Sequence, residues 1–234
     1  MKFSVKIFAD GADKNGMLEM YHNPLISGFT TNPTLMRKAN VLQYKDFALD
    51  ILSVIRDRPI SFEVFSDEFD EMERQAKEIA SWGDNVYVKI PITNTKGQSA
   101  KALIANLSSA GVKQNITAIM TAEQVGYILP ALADGPAACV SVFAGRIADT
   151  GVDPLPMMER VLGMIRPHSQ IELIWASPRE ILNIVQADDI GCHIITVTND
   201  LLKKLSLIGK DLTEYSLETV KMFYNDASAA GYSL

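Results

Sequence analysis

Short runs of β-branched and apolar residues recur along the whole chain and alternate with longer segments of helical periodicity. Runs of this length, separated by polar and glycine-containing segments, predict β-strands. The segments between them begin with polar residues and end at glycine, as helices do; examples are residues 67–83, 121–135 and 177–191. The eight predicted strands are residues 2–8, 27–31, 60–65, 85–92, 112–119, 138–145, 170–177 and 192–197.

Strands that alternate with helices predict right-handed βαβ units and a parallel sheet. Eight units of about 29 residues fit a closed (β/α)8 TIM barrel near the small end of that fold's size range. The alternative, a doubly wound open sheet, is disfavoured because no G-x-G-x-x-G turn follows the first predicted strand. We therefore predict a single α/β domain, with the barrel in residues 1–212 and an extra C-terminal helix and tail in residues 213–234.

Composition narrows the classes of function. The 234 residues are 47% hydrophobic and 21% charged, as in an ordinary globular protein with a sizeable core. A formal net charge of -6 argues against a nucleic acid or an anionic membrane as partner, and no apolar run approaches the roughly 18 residues that span a bilayer. The polar start does not resemble a signal peptide, so we expect a cytoplasmic protein. Neither Cys139 nor Cys192 has metal-ligand spacing, and we expect no metal or other cofactor.

Polar residues stand late in, or just after, seven successive predicted strands. In a parallel barrel these positions meet at one end, where the catalytic groups of such barrels lie. Any one of them alone is explained by a turn or a helix cap, but seven strands contributing to one end predict a site. The residues are Asp10, Thr30, Asn32, Glu63, Lys89, Asn115, Thr117, Ser141, Arg146, Ser177 and Arg179.

Lys89 stands in the middle of the apolar predicted strand VYVKIPI (86–92). An apolar environment disfavours a charged amine, and the neutral amine is the form that attacks a carbonyl. The resulting iminium weakens a neighbouring C–C bond, which is class I aldol chemistry and needs no metal. The alternative is a lysine whose stem lies along the barrel while its head reaches water or a surface carboxylate. Asp10 and Glu63 favour catalysis, because they supply the proton transfers that such a reaction needs.

Arg146 and Arg179 follow the sixth and seventh predicted strands, near Ser141 and Ser177. The loops after the last strands of such barrels often bind phosphate, and guanidinium and hydroxyl groups suit a tetrahedral oxyanion. Each arginine alone is equally compatible with a surface residue that caps a helix. The pair predicts a site for the anionic group of a small molecule.

Five segments resemble the transaldolase family, and the chain length resembles its small members. The resemblance implies a Schiff base on Lys89, Asp10 as general acid/base, and Glu63 with Thr117 holding a catalytic water. It also implies that substrate hydroxyls bind at Asn32, Asn115 and Ser141, and the terminal anion at Arg146, Ser177 and Arg179. The segments are GFTTNPTL (28–35), VYVKIPIT (86–93), NITAI (115–119), VFAGRIAD (142–149) and ASPRE (176–180).

Three positions resemble transaldolases more than the sister branch of fructose-6-phosphate aldolases, which release free dihydroxyacetone. Glu63 stands where these aldolases carry glutamine, Asn115 where they lack an amide, and Phe143 where they carry tyrosine. Phenylalanine cannot donate a proton, so the enamine would persist until an acceptor aldehyde arrives. The resemblance therefore favours transfer of a dihydroxyacetone unit. The alternatives are an aldolase of that branch and a non-catalytic sugar-phosphate-binding barrel.

The chain as a whole, including Trp175, is similar to the sulfofructose transaldolase branch. The expected donor is therefore one of two compounds: a sugar phosphate, namely a ketose 6-phosphate, or a sugar sulfonate, namely 6-deoxy-6-sulfofructose. The expected acceptors are glyceraldehyde 3-phosphate and erythrose 4-phosphate. Trp175 lies two residues before Ser177, where its ring either packs in the core or lines the pocket with Thr30 and Phe143.

The predicted C-terminal helix is amphipathic. Its apolar residues pack either on the barrel or on a neighbouring subunit, and the resemblance to small transaldolases implies a homo-oligomer, a pentamer or a decamer. These apolar residues are Leu217, Val220, Met222 and Phe223.

Overall fold

Eight parallel strands form one closed barrel in chain order in the computed structural model, which describes residues 3–232. Each strand pairs in parallel with its neighbours, and β8 pairs with β1. The fold is a (β/α)8 barrel, which confirms the predicted fold class. The strands are β1 (Lys6–Asp10), β2 (Ile26–Thr30), β3 (Ile60–Glu63), β4 (Val86–Pro91), β5 (Gln114–Ile119), β6 (Ala138–Val142), β7 (Ile171–Trp175) and β8 (Ile194–Thr198).

Helices connect successive strands, and local sequence signals fix where some of them begin. The Asn32 side chain accepts a hydrogen bond from the Leu35 N–H, and Pro33 follows as the first helical residue, so helix α2 begins directly after β2. The helices are α1 (Lys14–His22), α2 (Pro33–Lys38), α3 (Tyr44–Val54), α4 (Phe69–Ala80), α5 (Lys101–Ser109), α6 (Ala122–Leu132), α7 (Ala144–Ala148), α8 (Leu155–Ile165), α9 (Leu182–Asp189), α10 (Asn199–Leu202) and α11 (Leu212–Ala229).

None of the eight predicted strands matches the observed bounds at both ends, and three of them serve as examples. The strand predicted at 2–8 runs from Lys6 to Asp10; its first predicted residue, Lys2, lies outside the described residues. The strand predicted at 138–145 ends at Val142, because the Arg146 and Ile147 N–H groups donate to the Phe143 carbonyl and start α7. The strand predicted at 192–197 is Ile194–Thr198. Barrel strands are buried on both faces, so an apolar run does not mark where a strand ends.

Side chains on the strands alternate between the barrel interior and the layer under the helices. The lower interior holds a small apolar cluster that includes Phe8 and Ile174. Gly28 is necessary there, because a Cβ at this position would lie 2.5 Å from the Phe8 ring. Trp175, the residue after Ile174, points the other way and is fully buried in the larger cluster between barrel and helices. Of the two interpretations of Trp175, the structure supports packing in the core, and the ring does not line the pocket.

The C-terminal helix α11 forms as predicted, and its side chains are exposed or half-buried along the whole length. The exposed fractions of its four predicted apolar contact residues lie between 50% and 62%. The last two residues of the predicted tail, 233–234, lie outside the described residues. Within residues 3–232, no helix has the length and apolarity needed to cross a membrane.

Candidate active site

A cavity of about 530 Å³ opens at the C-terminal end of the barrel strands. Its size suits a small sugar derivative. Eleven of the thirteen predicted catalytic, substrate-binding and anion-binding residues line it, and the two others, Asn115 and Trp175, lie elsewhere. The predicted residues along the cavity are Asp10, Thr30, Asn32, Glu63, Lys89, Thr117, Ser141, Phe143, Arg146, Ser177 and Arg179.

Lys89 projects from the middle of β4 into this cavity. Its side chain is only 8% exposed, and its Nζ lies 3.0 Å from Glu63 Oε2 and donates to the Thr31 carbonyl at 2.9 Å. The lysine head thus reaches neither open solvent nor a surface carboxylate. Deprotonation of this amine leaves two N–H groups, one for each of these acceptors, and a lone pair for an electrophile in the cavity.

Asp10 ends β1 beside the lysine. The Thr30 hydroxyl donates to Asp10 Oδ1 at 2.7 Å and also contacts the Thr196 hydroxyl. Burial raises the pKa of Asp10 above its ordinary value, although the positive charge of Lys89 and the Thr30 hydrogen bond partly oppose this. A carboxyl group with a raised pKa is closer to the protonation balance that a general acid/base needs near neutral pH.

Thr117 lies at a bulge in β5 and lines the cavity. The register with β6 shifts between Ile116 and Ile119, and Ala118 has a φ of +62°, a conformation that is uncommon outside glycine. The Thr117 hydroxyl is buried and has no hydrogen-bond partner among the described residues. Buried polar groups are normally satisfied, so this hydroxyl is available to a water or a substrate hydroxyl.

Asn115 lies below the cavity and holds one of its lining residues. Its amide donates to the Ser61 hydroxyl at 3.1 Å, and the Ser141 hydroxyl donates to the Asn115 carbonyl oxygen at 2.7 Å. Asn115 is fully buried, whereas Ser141 lines the cavity. The geometry thus makes Asn115 a support for Ser141, and the predicted substrate contact of Asn115 finds no support in its position.

The two arginines, Arg146 and Arg179, line the cavity from the segments that follow β6 and β7. Arg179 donates from Nη1 to the Ser177 hydroxyl at 3.1 Å and from Nε to Asp149 at 2.9 Å. This ion pair lowers the pKa of Asp149 and raises that of Arg179. The Arg146 guanidinium lies 5.0 Å from the centre of the Phe143 ring, which fixes it over an aromatic face. Two cations and a hydroxyl thus face one corner of the cavity.

The contributors that were not predicted from the sequence include Thr196, Lys38, Thr31 and Tyr44. Thr196 brings in β8, the strand for which no site residue was expected, although its late position in the strand follows the rule used for the other seven. Lys38, at the end of α2, lines the mouth. The main-chain carbonyl of Thr31 accepts from Lys89, and the Tyr44 hydroxyl bonds to the main chain of Glu63. Contacts to the main chain cannot be predicted from residue types, because every residue has the same carbonyl group.

A family model described as "Transaldolase/Fructose-6-phosphate aldolase" matches residues 7–234. The chain belongs to this family. It is 35% identical over 220 residues to a "Probable transaldolase" of Thermoanaerobacter sp. (strain X514), covering 93% of this chain and 95% of that relative. It is 34% identical over 227 residues to a "Probable transaldolase" of Streptococcus equi subsp. zooepidemicus (strain MGCS10565), covering 95% and 97%. The protein is an enzyme of the transaldolase type.

Solved structures share the fold at low sequence identity. An HpcH/HpaI aldolase/citrate lyase family protein from Burkholderia cenocepacia J2315 has a TM-score of 0.59 at 13% identity, over 93% of this chain and 95% of that chain. N-acetylneuraminate lyase from Mycoplasma synoviae has a TM-score of 0.55 at 10% identity, over 97% and 82%. At such identity the likeness concerns the barrel alone.

Proposed function

We propose that this enzyme is a class I, Schiff-base transaldolase that moves a dihydroxyacetone unit from a ketose donor to an aldose phosphate. The observation that carries the proposal is the environment of Lys89: a buried amine, held by the Glu63 carboxylate and the Thr31 carbonyl, at the base of a cavity with two arginines at its mouth. A non-catalytic binding barrel would have no use for a buried amine in this setting.

The first half-reaction forms the Schiff base. The Nζ lone pair of Lys89 attacks C2 of the donor, the carbonyl oxygen takes up a proton, and a second proton transfer expels it as water. We assign the binding of that water to Glu63 and Thr117, since the first contacts Nζ and the hydroxyl of the second has no partner within residues 3–232. The product is an iminium at C2.

The second half-reaction breaks and remakes a C–C bond. Asp10 takes the proton of the C4 hydroxyl, the C3–C4 electron pair moves to the iminium, and the aldehyde leaves an enamine on Lys89. The enamine C3 then attacks the acceptor aldehyde, whose oxygen takes the proton back from Asp10. Hydrolysis of the new iminium releases the product ketose and the free amine. Ser141 and Asn32 border the cavity where the sugar hydroxyls would lie.

Phe143 supports transfer over simple cleavage. Its ring borders the cavity and, unlike the ring of a tyrosine, carries no hydroxyl that could help to protonate the enamine at C3. An aldolase that releases dihydroxyacetone needs that protonation. This is the argument against the second candidate, a fructose-6-phosphate aldolase activity.

Arg146, Arg179 and Ser177 form the proposed site for the anionic end of the donor and of the acceptor. Asp149 already pairs with Arg179, so the corner carries less positive charge than two free arginines would. A ketose 6-phosphate and 6-deoxy-6-sulfofructose both fit this chemistry, and glyceraldehyde 3-phosphate and erythrose 4-phosphate are the proposed acceptors. We further propose a homo-oligomer, a pentamer or a decamer, supported by the exposed apolar residues of α11.

A product assay tests the proposal. Wild-type enzyme is incubated with fructose 6-phosphate or 6-deoxy-6-sulfofructose, with and without erythrose 4-phosphate, and with K89M as control. The proposal predicts a seven-carbon ketose phosphate only when the acceptor is present, little free dihydroxyacetone in its absence, and neither product with K89M. Equal dihydroxyacetone release with and without acceptor would instead identify an aldolase, and binding of the donor without turnover a binding barrel.

A further inference from the structure

The β2–β3 ladder stops one rung before Glu63. The Phe29 N–H donates to the Pro59 carbonyl, and the Thr31 N–H donates to the Ser61 carbonyl at 3.1 Å. In a parallel ladder the next rung would join the Glu63 N–H to the Thr31 carbonyl. The rung after that would need an N–H at residue 33, which is proline and has none. The main chain of Glu63 therefore needs another partner on this side.

The Tyr44 hydroxyl is that partner. It accepts a hydrogen bond from the Glu63 N–H at 2.8 Å and donates to the Glu63 carbonyl at 2.8 Å. One hydroxyl thus satisfies both main-chain groups of the residue that contacts the Lys89 amine. Because Glu63 is fixed by Tyr44, the Thr31 carbonyl is not used by the ladder, and it accepts from Lys89 Nζ instead.

The ring of Tyr44 is held in place by its neighbours. It packs edge-on against Phe65 with centroids 5.4 Å apart and against Phe62 at 6.4 Å, and it is tilted against Trp82 at 6.0 Å. Burial raises the pKa of Tyr44 well above its ordinary value, so the hydroxyl keeps the proton that it donates to Glu63. These contacts leave the hydroxyl little freedom to turn elsewhere.

We propose that Tyr44 is a positioning residue for the Schiff-base lysine, an inference that rests on the proposed function. By closing the end of the β2–β3 ladder, its hydroxyl keeps the Thr31 carbonyl and the Glu63 carboxylate as the two acceptors of Lys89. Without it, the Glu63 N–H pairs with the Thr31 carbonyl, and the amine loses one acceptor and its fixed orientation.

Tyr44→Phe tests this inference because it retains the ring and removes only the hydroxyl. We expect kcat to fall by about 10- to 100-fold, since misorientation of a nucleophile costs rates of this order. KM for fructose 6-phosphate should stay within about twofold, because the arginine site lies after β6 and β7, away from Tyr44. Borohydride trapping of dihydroxyacetone on Lys89 should slow by the same factor as kcat.

Two control variants separate orientation from stability. Tyr21→Phe removes a tyrosine hydrogen bond to Asp57, 2.8 Å long and remote from the site, and should leave kcat and trapping unchanged. Phe65→Leu removes one aromatic neighbour of Tyr44 but leaves Phe62 and Trp82 against its ring, so the phenol stays in place. This variant should lower the unfolding temperature while kcat stays within about twofold.

Three outcomes decide the inference. Slow trapping by folded Tyr44→Phe, with normal trapping by Phe65→Leu, supports it. Wild-type trapping rates in Tyr44→Phe, or equal losses in Phe65→Leu at matched stability, overturn it. If the wild-type enzyme itself forms no trapped adduct, the proposed function fails instead, and this result is distinct from the other two.

Discussion

Substitution of Gly145 should disrupt the anion site while sparing the nucleophile. A Cβ at Gly145 would lie 1.6 Å from the carbonyl oxygen of Ser177, whereas real Cβ atoms essentially never approach another heavy atom within 3.0 Å. The obstructing atom belongs to the main chain and cannot rotate away. In Gly145→Ala, helix α7 and the loop after β7 must therefore separate by more than about 1 Å.

This separation divides the anion site. Arg146 lies in α7, which follows β6, and Ser177 and Arg179 lie in the loop after β7, so one part of the site moves relative to the other. A displacement of about 1 Å lowers the efficiency of an enzyme by about 100-fold, and we expect a loss of this order in kcat/KM for fructose 6-phosphate, chiefly through KM. Dihydroxyacetone carries no anion, so its borohydride trapping on Lys89 should proceed at the wild-type rate.

The assay measures both quantities on the same folded protein. Gly163→Ala is the matched control, because a Cβ at this exposed position of α8 meets no atom within 4 Å among the described residues. It should leave both rates unchanged and stabilise the helix by roughly 0.5–1 kcal/mol. Wild-type kcat/KM in Gly145→Ala, or an equal loss in dihydroxyacetone trapping, would refute the reasoning.

Three further substitutions test the roles of the remaining groups. Asp10→Asn should lower kcat by about 100- to 10,000-fold. Burial raises the pKa of Asp10, so the folded state binds this proton more tightly than the unfolded state, and the ionised carboxylate destabilises the folded state as pH rises. Asparagine carries no charge, so the variant should unfold at a higher temperature than wild type at pH 7. This gain should fade as pH falls toward 3.8. A gain that persisted at the lower pH would contradict the assignment. Phe143→Tyr supplies a hydroxyl at the cavity, so dihydroxyacetone release without acceptor should rise by about 10-fold relative to transfer; an unchanged ratio in a coupled reduction assay would argue against the role of Phe143. Thr117→Val keeps the shape and removes an unpartnered buried hydroxyl, so the unfolding temperature should not fall while kcat drops by about 10-fold or more; retained kcat would exclude Thr117 from the reaction.

The fold could be predicted because short apolar runs, typical of buried strands, alternate eight times with longer segments of helical periodicity. Lys89 was identified for a related reason, since a charge in an apolar strand is costly and calls for an explanation. The ends of β1 and β6 could not be predicted, because residues buried on both faces give no contrast at a strand terminus. The direction of the Trp175 side chain could not be predicted either, because it depends on which alternate residues of β7 face the barrel interior.

Contacts made through the main chain could not be predicted from the sequence pattern. The role of the Thr31 carbonyl follows from where the β2–β3 ladder stops, and that of Tyr44 from a helix that packs across the ladder's end. Asn115 shows the opposite limit: its residue type suits a substrate contact, but its depth makes it a support for Ser141.

The measurement that tests the central claim most directly is borohydride reduction with fructose 6-phosphate and no acceptor, followed by peptide mass spectrometry. The account predicts a reduced three-carbon adduct on Lys89, formed at wild-type rates in Gly163→Ala, absent in K89M and displaced when erythrose 4-phosphate is added before the borohydride. No adduct in folded protein, or an adduct on a different lysine, would contradict the assignment of Lys89 as the Schiff-base nucleophile.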